Sequence, residues 1–227
     1  MLVVKGLLGG LFQIVLFSVL LLVPAGTWHW PRAIIFLVVY GFLVLVSVIA
    51  LARLAPASLE ARLQPPVAKS QPVADRVVSL FLILSICAWF LFIPIEVFHL
   101  RLLPPPHLTI SIIGAALFLA GFGVLLTALF QNAFAAPIVK DQSDRGHVLI
   151  DTGLYGRIRH PFYLGFLLFL LGIALWLESY ASVLALPVLL VFLIVRTFVE
   201  EKTLQETLPG YVGYMTRVRY RLIPYVW

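Results

Sequence analysis

Two stretches of the sequence carry side chains able to do chemistry together. The first runs from Thr152-Gly153-Leu154-Tyr155 to Arg159-His160-Pro161-Phe162-Tyr163, and the second is Arg196-x-x-x-Glu200-Glu201. Pro161 suits the first turn of a helix, where its missing N–H costs nothing. His160 then stands at a helix N-terminus, where unpaired amides and the helix dipole favour a carboxylate or another anion. Arg196 and Glu200 are four residues apart and share one helical face, while Glu201 turns about 100° away. An arginine fork can hold a carboxylate, and a carboxylate beside a tyrosine ring suits an organic cation. Taken singly, each residue reads as an interfacial histidine, a topogenic arginine or a surface ion pair. Their clustering is what points to a site.

The elements that position them are set by composition. Of 227 residues, 62% are hydrophobic and 11% charged, with a mean hydropathy of +1.07. A soluble domain needs about 25% charge to coat its surface. The expected fold is therefore all-α, a polytopic integral membrane bundle of about six transmembrane helices with the lipid bilayer as its first partner. Apolar stretches lie near Leu7–Val23, Ala33–Leu51, Val77–Phe98, Leu108–Phe130, Phe162–Leu177 and Ala181–Val195. Pro24-Ala25-Gly26, a Pro-rich loop over 53–76, and Pro104-Pro105-Pro106 separate them. The last two read as short spans joined in a tight hairpin. Glu96 and His99, following Pro94, read as a solvated helix end.

Lysines and arginines set the orientation. With both termini on the cytosolic side, Lys5, Arg53, Arg62, Lys69, Arg76, Lys140, Arg145, Arg157, Arg159, Arg196, Lys202, Arg217, Arg219 and Arg221 share that side. Only Arg32 and Arg101 face outward, so 14 of 16 basic residues agree with an N-in, C-in arrangement. The expected location is a multi-pass protein of the plasma or inner membrane in a bacterium, or of the endoplasmic reticulum in a eukaryote. Residues 1–105 divide off as three N-terminal spans, and residues 106–227 as a core with the hairpin and a cytosolic C-terminal segment. Polar side chains concentrate in 131–163 and 196–224.

Other chemistries are not supported. Gly121-Phe122-Gly123 lies in an apolar span with no strand before it, so it is no nucleotide fingerprint. The single Cys87 and five scattered histidines make no metal set. Neither a metal nor a nucleic-acid partner is expected.

The Thr152-Gly153-Leu154-Tyr155, Arg159-His160-Pro161-x-Tyr163, Arg196-x-x-x-Glu200-Glu201, Leu204, Gly210-Tyr211-x-x-Tyr214 and Pro224 positions resemble the isoprenylcysteine carboxyl methyltransferase family. That family belongs to a wider membrane superfamily with phospholipid N-methyltransferases, and the resemblance covers about residues 131–227. It implies S-adenosyl-L-methionine as cofactor on the cytosolic side, contacted by His147, Val148, Leu149, Ile150, Tyr155, His160, Pro161, Phe162, Tyr163 and Glu200. It implies Arg196 and Glu200 as the catalytic pair, with Arg196 facing a lipophilic methyl acceptor. A family glutamine upstream of His147 is replaced here by Lys140, with Gln142 nearby.

The expected activity is thus carboxyl O-methyl transfer to a lipophilic acceptor. Such a transfer is an in-line displacement that mainly requires positioning and desolvation. A carboxylate acceptor is already anionic and needs no base, whereas an amine would need deprotonation beside Arg196. The alternatives are a phospholipid N- or small-thiol S-methyltransferase of the same superfamily, a related NADPH-dependent membrane reductase, or a transporter or scaffold. The last predicts polar groups spread at mid-depth rather than gathered at one face.

Overall fold

In a computed structural model of the protein, residues 1–65, 67, 71–134, 137 and 146–227 are described. Lys69, Lys140, Gln142 and Arg145 lie outside these residues. All regular structure among the described residues is helical: α1 (Leu2–Ala25), α2 (Pro31–Leu54), α3 (Pro56–Arg62), α4 (Val73–Pro94), a π-helical turn (Ile95–Leu100), α5 (Leu108–Gln131), α6 (Pro161–Trp176), α7 (Tyr180–Thr207) and α8 (Tyr211–Arg217).

The boundaries follow local chemistry. Proline opens α2, α3 and α6, where its fixed φ is already helical. Gly26 closes α1 in the left-handed region at φ 67°, a conformation that costs glycine little. His107 and Ser179 cap α5 and α7 through side chains that accept the Thr109 and Ser182 amides. Pro94 lacks the N–H that would continue α4 regularly, and the chain leaves it through the π turn. That turn carries Glu96 inward to 2% exposure, so Glu96 is not the solvated helix end expected. His99 remains exposed and bonds the Pro24 carbonyl at 2.7 Å.

Five helices are long and apolar enough to cross a membrane: Leu2–Ala25, Pro31–Leu54, Val73–Leu100, Leu108–Gln131 and Tyr180–Thr207. Twenty-four residues rise about 36 Å, more than the roughly 30 Å hydrocarbon core. The α6 helix is the exception. Its 16 residues rise only about 24 Å, so the six expected spans become five full-length helices and one short one. The last apolar stretch ends near Val195, but the helix that carries it runs on past Arg196 and Glu200, as their placement on one helical face requires. The α7 helix continues to Thr207 because folded-back chain covers Arg196 and Glu201, leaving them 8% and 2% exposed.

Apolar side chains face outward as freely as inward. Phe12, Val38, Phe42 and Leu184 are exposed, while Phe36, Tyr40, Phe90, Phe118 and Phe169 form an aromatic interior. Lipid solvates both sets equally, so shape rather than hydrophobicity drives helix association. This is clearest between α5 and α6. A Cβ at Gly172 would overlap the Phe118 backbone, and one at Gly121 would overlap the Phe169 backbone. Glycine at both positions lets the two helices touch main chain to main chain, which fixes the height at which α6 begins.

Contacts confirm that successive helices alternate in direction. At one end, Arg32 of α2 pairs with Glu178 of the α6–α7 turn at 3.0 Å, and Trp176 Nε1 donates to the Arg32 carbonyl. At the other end, Ser58 of α3 donates to the Leu129 carbonyl of α5 at 2.7 Å. Arg196 of α7 lies there beside Asp75 of α4.

Gly172→Ala is expected to lower the apparent melting temperature in detergent through overpacking of about 1–3 kcal/mol. Gly123→Ala is the control, since a Cβ there meets nothing within 4 Å; it should leave the melt unchanged or slightly raised.

Candidate active site

The polar residues of the two sequence stretches meet around the carboxylates of α7. Glu201 is the inner one, with a side chain 3% exposed. Its Oε1 accepts from Arg159 Nε at 2.7 Å and lies 3.2 Å from His160 Nε2; its Oε2 accepts from Arg221 Nε at 2.9 Å. These partners come from the segment before α6 and from the C-terminal tail. The same two segments are tied by backbone bonds, with the Arg159 and His160 amides donating to the Tyr220 and Arg221 carbonyls. Arg159 also donates to the carbonyls of Val218 and Arg219. Arg221 lies over the rings of Phe198 and Trp227.

Glu200 faces the other way, as the 100° step requires. Its Oε2 accepts a short 2.5 Å bond from the Tyr163 hydroxyl and lies 3.8 Å from His160 Nδ1. The His160 and Tyr163 rings stack, with planes 4° apart. Histidine is thus held between both glutamates by one ring nitrogen each. The Glu200 side chain is 30% exposed, and Oε1 makes no hydrogen bond among the described residues. A half-exposed carboxylate oriented by a tyrosine and backed by a histidine can accept an ammonium or another organic cation. No side chain caps the α6 N-terminus among the described residues; Pro161 has no N–H and the Tyr163 amide donates to the His160 carbonyl, which leaves the Phe162 amide for an anion. The residues therefore fit both charged ends of an amino-acid-containing cofactor.

Arg196 lies one turn before Glu200 and points toward α4. Its Nη1 donates to Ser79 at 3.1 Å, its Nη2 donates to the Pro137 carbonyl, and its Nε lies 3.8 Å from Asp75 without a hydrogen bond. Asp75 is fully buried and also accepts from Gln71 and Ser79. Asp75 and Ser79 were not among the residues singled out by sequence; a lone aspartate at a helix start carries no pattern. Arg62 is another such residue, lying over the Phe162 ring at 4.4 Å.

The segment ahead of α6 folds onto α8. Gly153 adopts φ 60° beneath the Gln131 side chain, whose Oε1 accepts from the Leu154 amide. The Tyr155 carbonyl accepts from the Tyr214 hydroxyl at 2.7 Å, and burial pushes the hydroxyl pKa values of both tyrosines well up. They stay neutral donors across the physiological range. His147 packs on Phe134 with ring centroids 4.4 Å apart. Val148 is exposed, Ile150 half-buried, and Leu149 joins Leu208, Tyr211, Tyr214 and Val218 in a small apolar cluster. Of the expected cofactor residues, His160, Tyr163 and Glu200 are in direct contact. Pro161 and Phe162 adjoin them, while His147 packs on Phe134 and Leu149 on the cluster around α8. Among the described residues no group of three or more His, Cys, Asp or Glu is arranged to hold a metal.

The two glutamates predict opposite phenotypes. Glu201→Ala should destabilise the protein by about 3–5 kcal/mol, because it leaves buried cations uncompensated. Glu200→Gln should change stability by no more than about 1 kcal/mol. Denaturant unfolding in micelles, followed by circular dichroism, separates them.

Comparison with known proteins supports the same grouping. Residues 109–209 match the family described as phospholipid methyltransferase. Over 83 residues the chain is 41% identical to the Protein-S-isoprenylcysteine O-methyltransferase of Saccharomyces cerevisiae, covering 36% of this chain and 35% of that protein. The match thus spans about a third of the length of that curated relative. No solved structure matches the chain. The RHPxY turn, the RxxxEE segment and helices α6 and α7 all fall inside residues 109–209, the stretch that is similar to the phospholipid methyltransferase family.

Proposed function

We propose that this chain is an integral membrane S-adenosylmethionine-dependent carboxyl O-methyltransferase, acting on a lipophilic carboxylate at the cytosolic face. The observation that carries the reading is the Glu200 carboxylate, fixed by Tyr163 and His160 yet open at Oε1, one turn from the Arg196 guanidinium. A cation-accepting group and an anion-accepting group on one helix suit a cationic donor and an anionic acceptor. When bound, S-adenosylmethionine supplies a methyl group on a positively charged sulfur. Glu200 receives positive charge on the donor, and Tyr163 holds that carboxylate in orientation. Arg196, held in place by Asp75, Ser79 and the Pro137 carbonyl, supplies positive charge on the acceptor side, and the surrounding aromatic chain excludes water. No residue has to remove a proton, since a carboxylate is anionic at neutral pH.

The charge distribution supports the cytosolic placement, with both termini inside. Lys5, Arg53, Arg76, Arg157, Arg217 and Arg219 belong to the connections and termini at the site's end of the alternating bundle, as basic residues facing the cytosol do. The name of the yeast relative supports a carboxylate acceptor. The family description favours a second reading, N-methylation of a phospholipid amine.

Purified protein in lipid nanodiscs should transfer labelled methyl from S-adenosylmethionine to a prenyl thioether carboxylic acid as a base-labile ester. Label appearing only on phosphatidylethanolamine, stable to base, would select the second reading. Glu200→Gln should weaken S-adenosylhomocysteine binding by about 10- to 100-fold in calorimetry. Unchanged binding in both Glu200→Gln and His160→Ala would sink the donor-site assignment.

A further inference from the structure

The cations at the site end of the bundle differ in what already neutralises them. Arg159 and Arg221 share Glu201. Arg196 has Asp75 beside it, and Ser79 and Pro137 take its Nη groups. Arg62 has none of this: it makes no hydrogen bond or ion pair among the described residues, and its guanidinium rests on the face of Phe162. It is half-buried, so its charge is not spent on bulk water either. Burial and the nearby Arg196 cation draw its pKa down to about 10, still protonated at neutral pH.

Its position is built rather than incidental. Arg62 ends α3, a seven-residue helix that Ser58 fastens to the Leu129 carbonyl at the end of α5. Leu59 packs the same helix against Val48 and Leu51 of α2. Phe162, the platform beneath the guanidinium, lies between Pro161 and Tyr163 in the first turn of α6. A stacked guanidinium keeps its in-plane N–H groups available, and its planar fork matches a carboxylate. Two guanidiniums close enough to repel each other are stabilised by an anion between them. With Glu200 assigned to the cationic donor, a carboxylate on the acceptor is the anion that suits Arg62 and Arg196.

We infer that Arg62, presented on Phe162 from the connection between the second and third spans, binds the carboxylate of the methyl acceptor together with Arg196. The inference rests on the carboxyl-methyltransferase reading and names the residue that makes the site select an anion. It also gives the N-terminal helices a part in acceptor recognition.

The test uses equilibrium binding, which does not depend on turnover. The full-length protein in nanodiscs is titrated with S-farnesylthioacetic acid and with its neutral primary amide. Wild type should prefer the acid by about tenfold or more, as one charge-assisted hydrogen bond predicts. Arg62→Gln should abolish the preference while binding the amide as wild type does, and Arg62→Lys should restore part of it. S-adenosylhomocysteine affinity should stay within about twofold in both variants, which also reports that they fold. Equal affinity of wild type for acid and amide, or an acid preference that survives Arg62→Gln, overturns the inference. So does a loss of S-adenosylhomocysteine binding in Arg62→Gln, because Arg62 would then hold the donor's carboxylate. Failure of the labelled-ester assay with the acid preference intact would reject the activity while leaving the Arg62 site standing.

Discussion

A carboxylate buried at the edge of a membrane protein must be compensated on the spot, because neither lipid nor a packed interior solvates it. Glu201 is such a group. Its two oxygens take the Arg159, His160 and Arg221 side chains, and those residues come from two separated parts of the polar sequence, neither of them its own helix. Satisfying the one charge therefore draws the segment before α6, the far end of α7 and the C-terminal tail to a single point. Once His160 is held there, its ring stacks on Tyr163, and the Tyr163 hydroxyl reaches Glu200. The open carboxylate is oriented by the closed one through two intervening side chains.

This arrangement is supported from below by helix packing that polar chemistry does not supply. The α5–α6 contact is close enough for backbones to touch, and it sets the depth of the α6 N-terminus relative to Gln131 and the loop it holds. On the other flank, Asp75 and Ser79 of α4 receive Arg196. The N-terminal helices thus border the same polar cluster as the C-terminal part, and the division near residue 105 does not separate their chemistry. Asp75, which faces Arg196, and Glu201 are both buried, which gives the region a fixed charge pattern before any ligand arrives.

Much of this was legible in the sequence, and the remainder divides by physical cause. The long spans were readable because lipid imposes a length and polarity rule on each helix separately. The Pro161 start, the Gly153 turn and the clustering of Arg159, His160, Tyr163, Arg196 and the two glutamates were readable for the same reason, since each is a local pattern. The shortness of α6 was readable from its short apolar stretch, and the run of α7 beyond the membrane from the four-residue spacing of Arg196 and Glu200 and the Pro209-Gly210 stop. The inward turn of Glu96 depends on the π geometry after Pro94. Asp75 went unremarked, and Arg62 was read only as one of the cytosolic basic residues, because a lone charged residue acquires meaning only from a distant partner.

Sequence alone determined that lipid is the solvent, that the chain is helical, and which residue types could handle a cation and an anion. These are properties of composition and of spacings within one helix. Only the tertiary structure decided that Glu201 is the structural carboxylate and Glu200 the available one. It also decided that Arg196 is already partnered while Arg62 has no counter-ion among the described residues. Those distinctions arise from pairing across 20 to more than 100 residues of chain. Two adjacent glutamates are alike as letters and differ only in which neighbours the fold delivers to each.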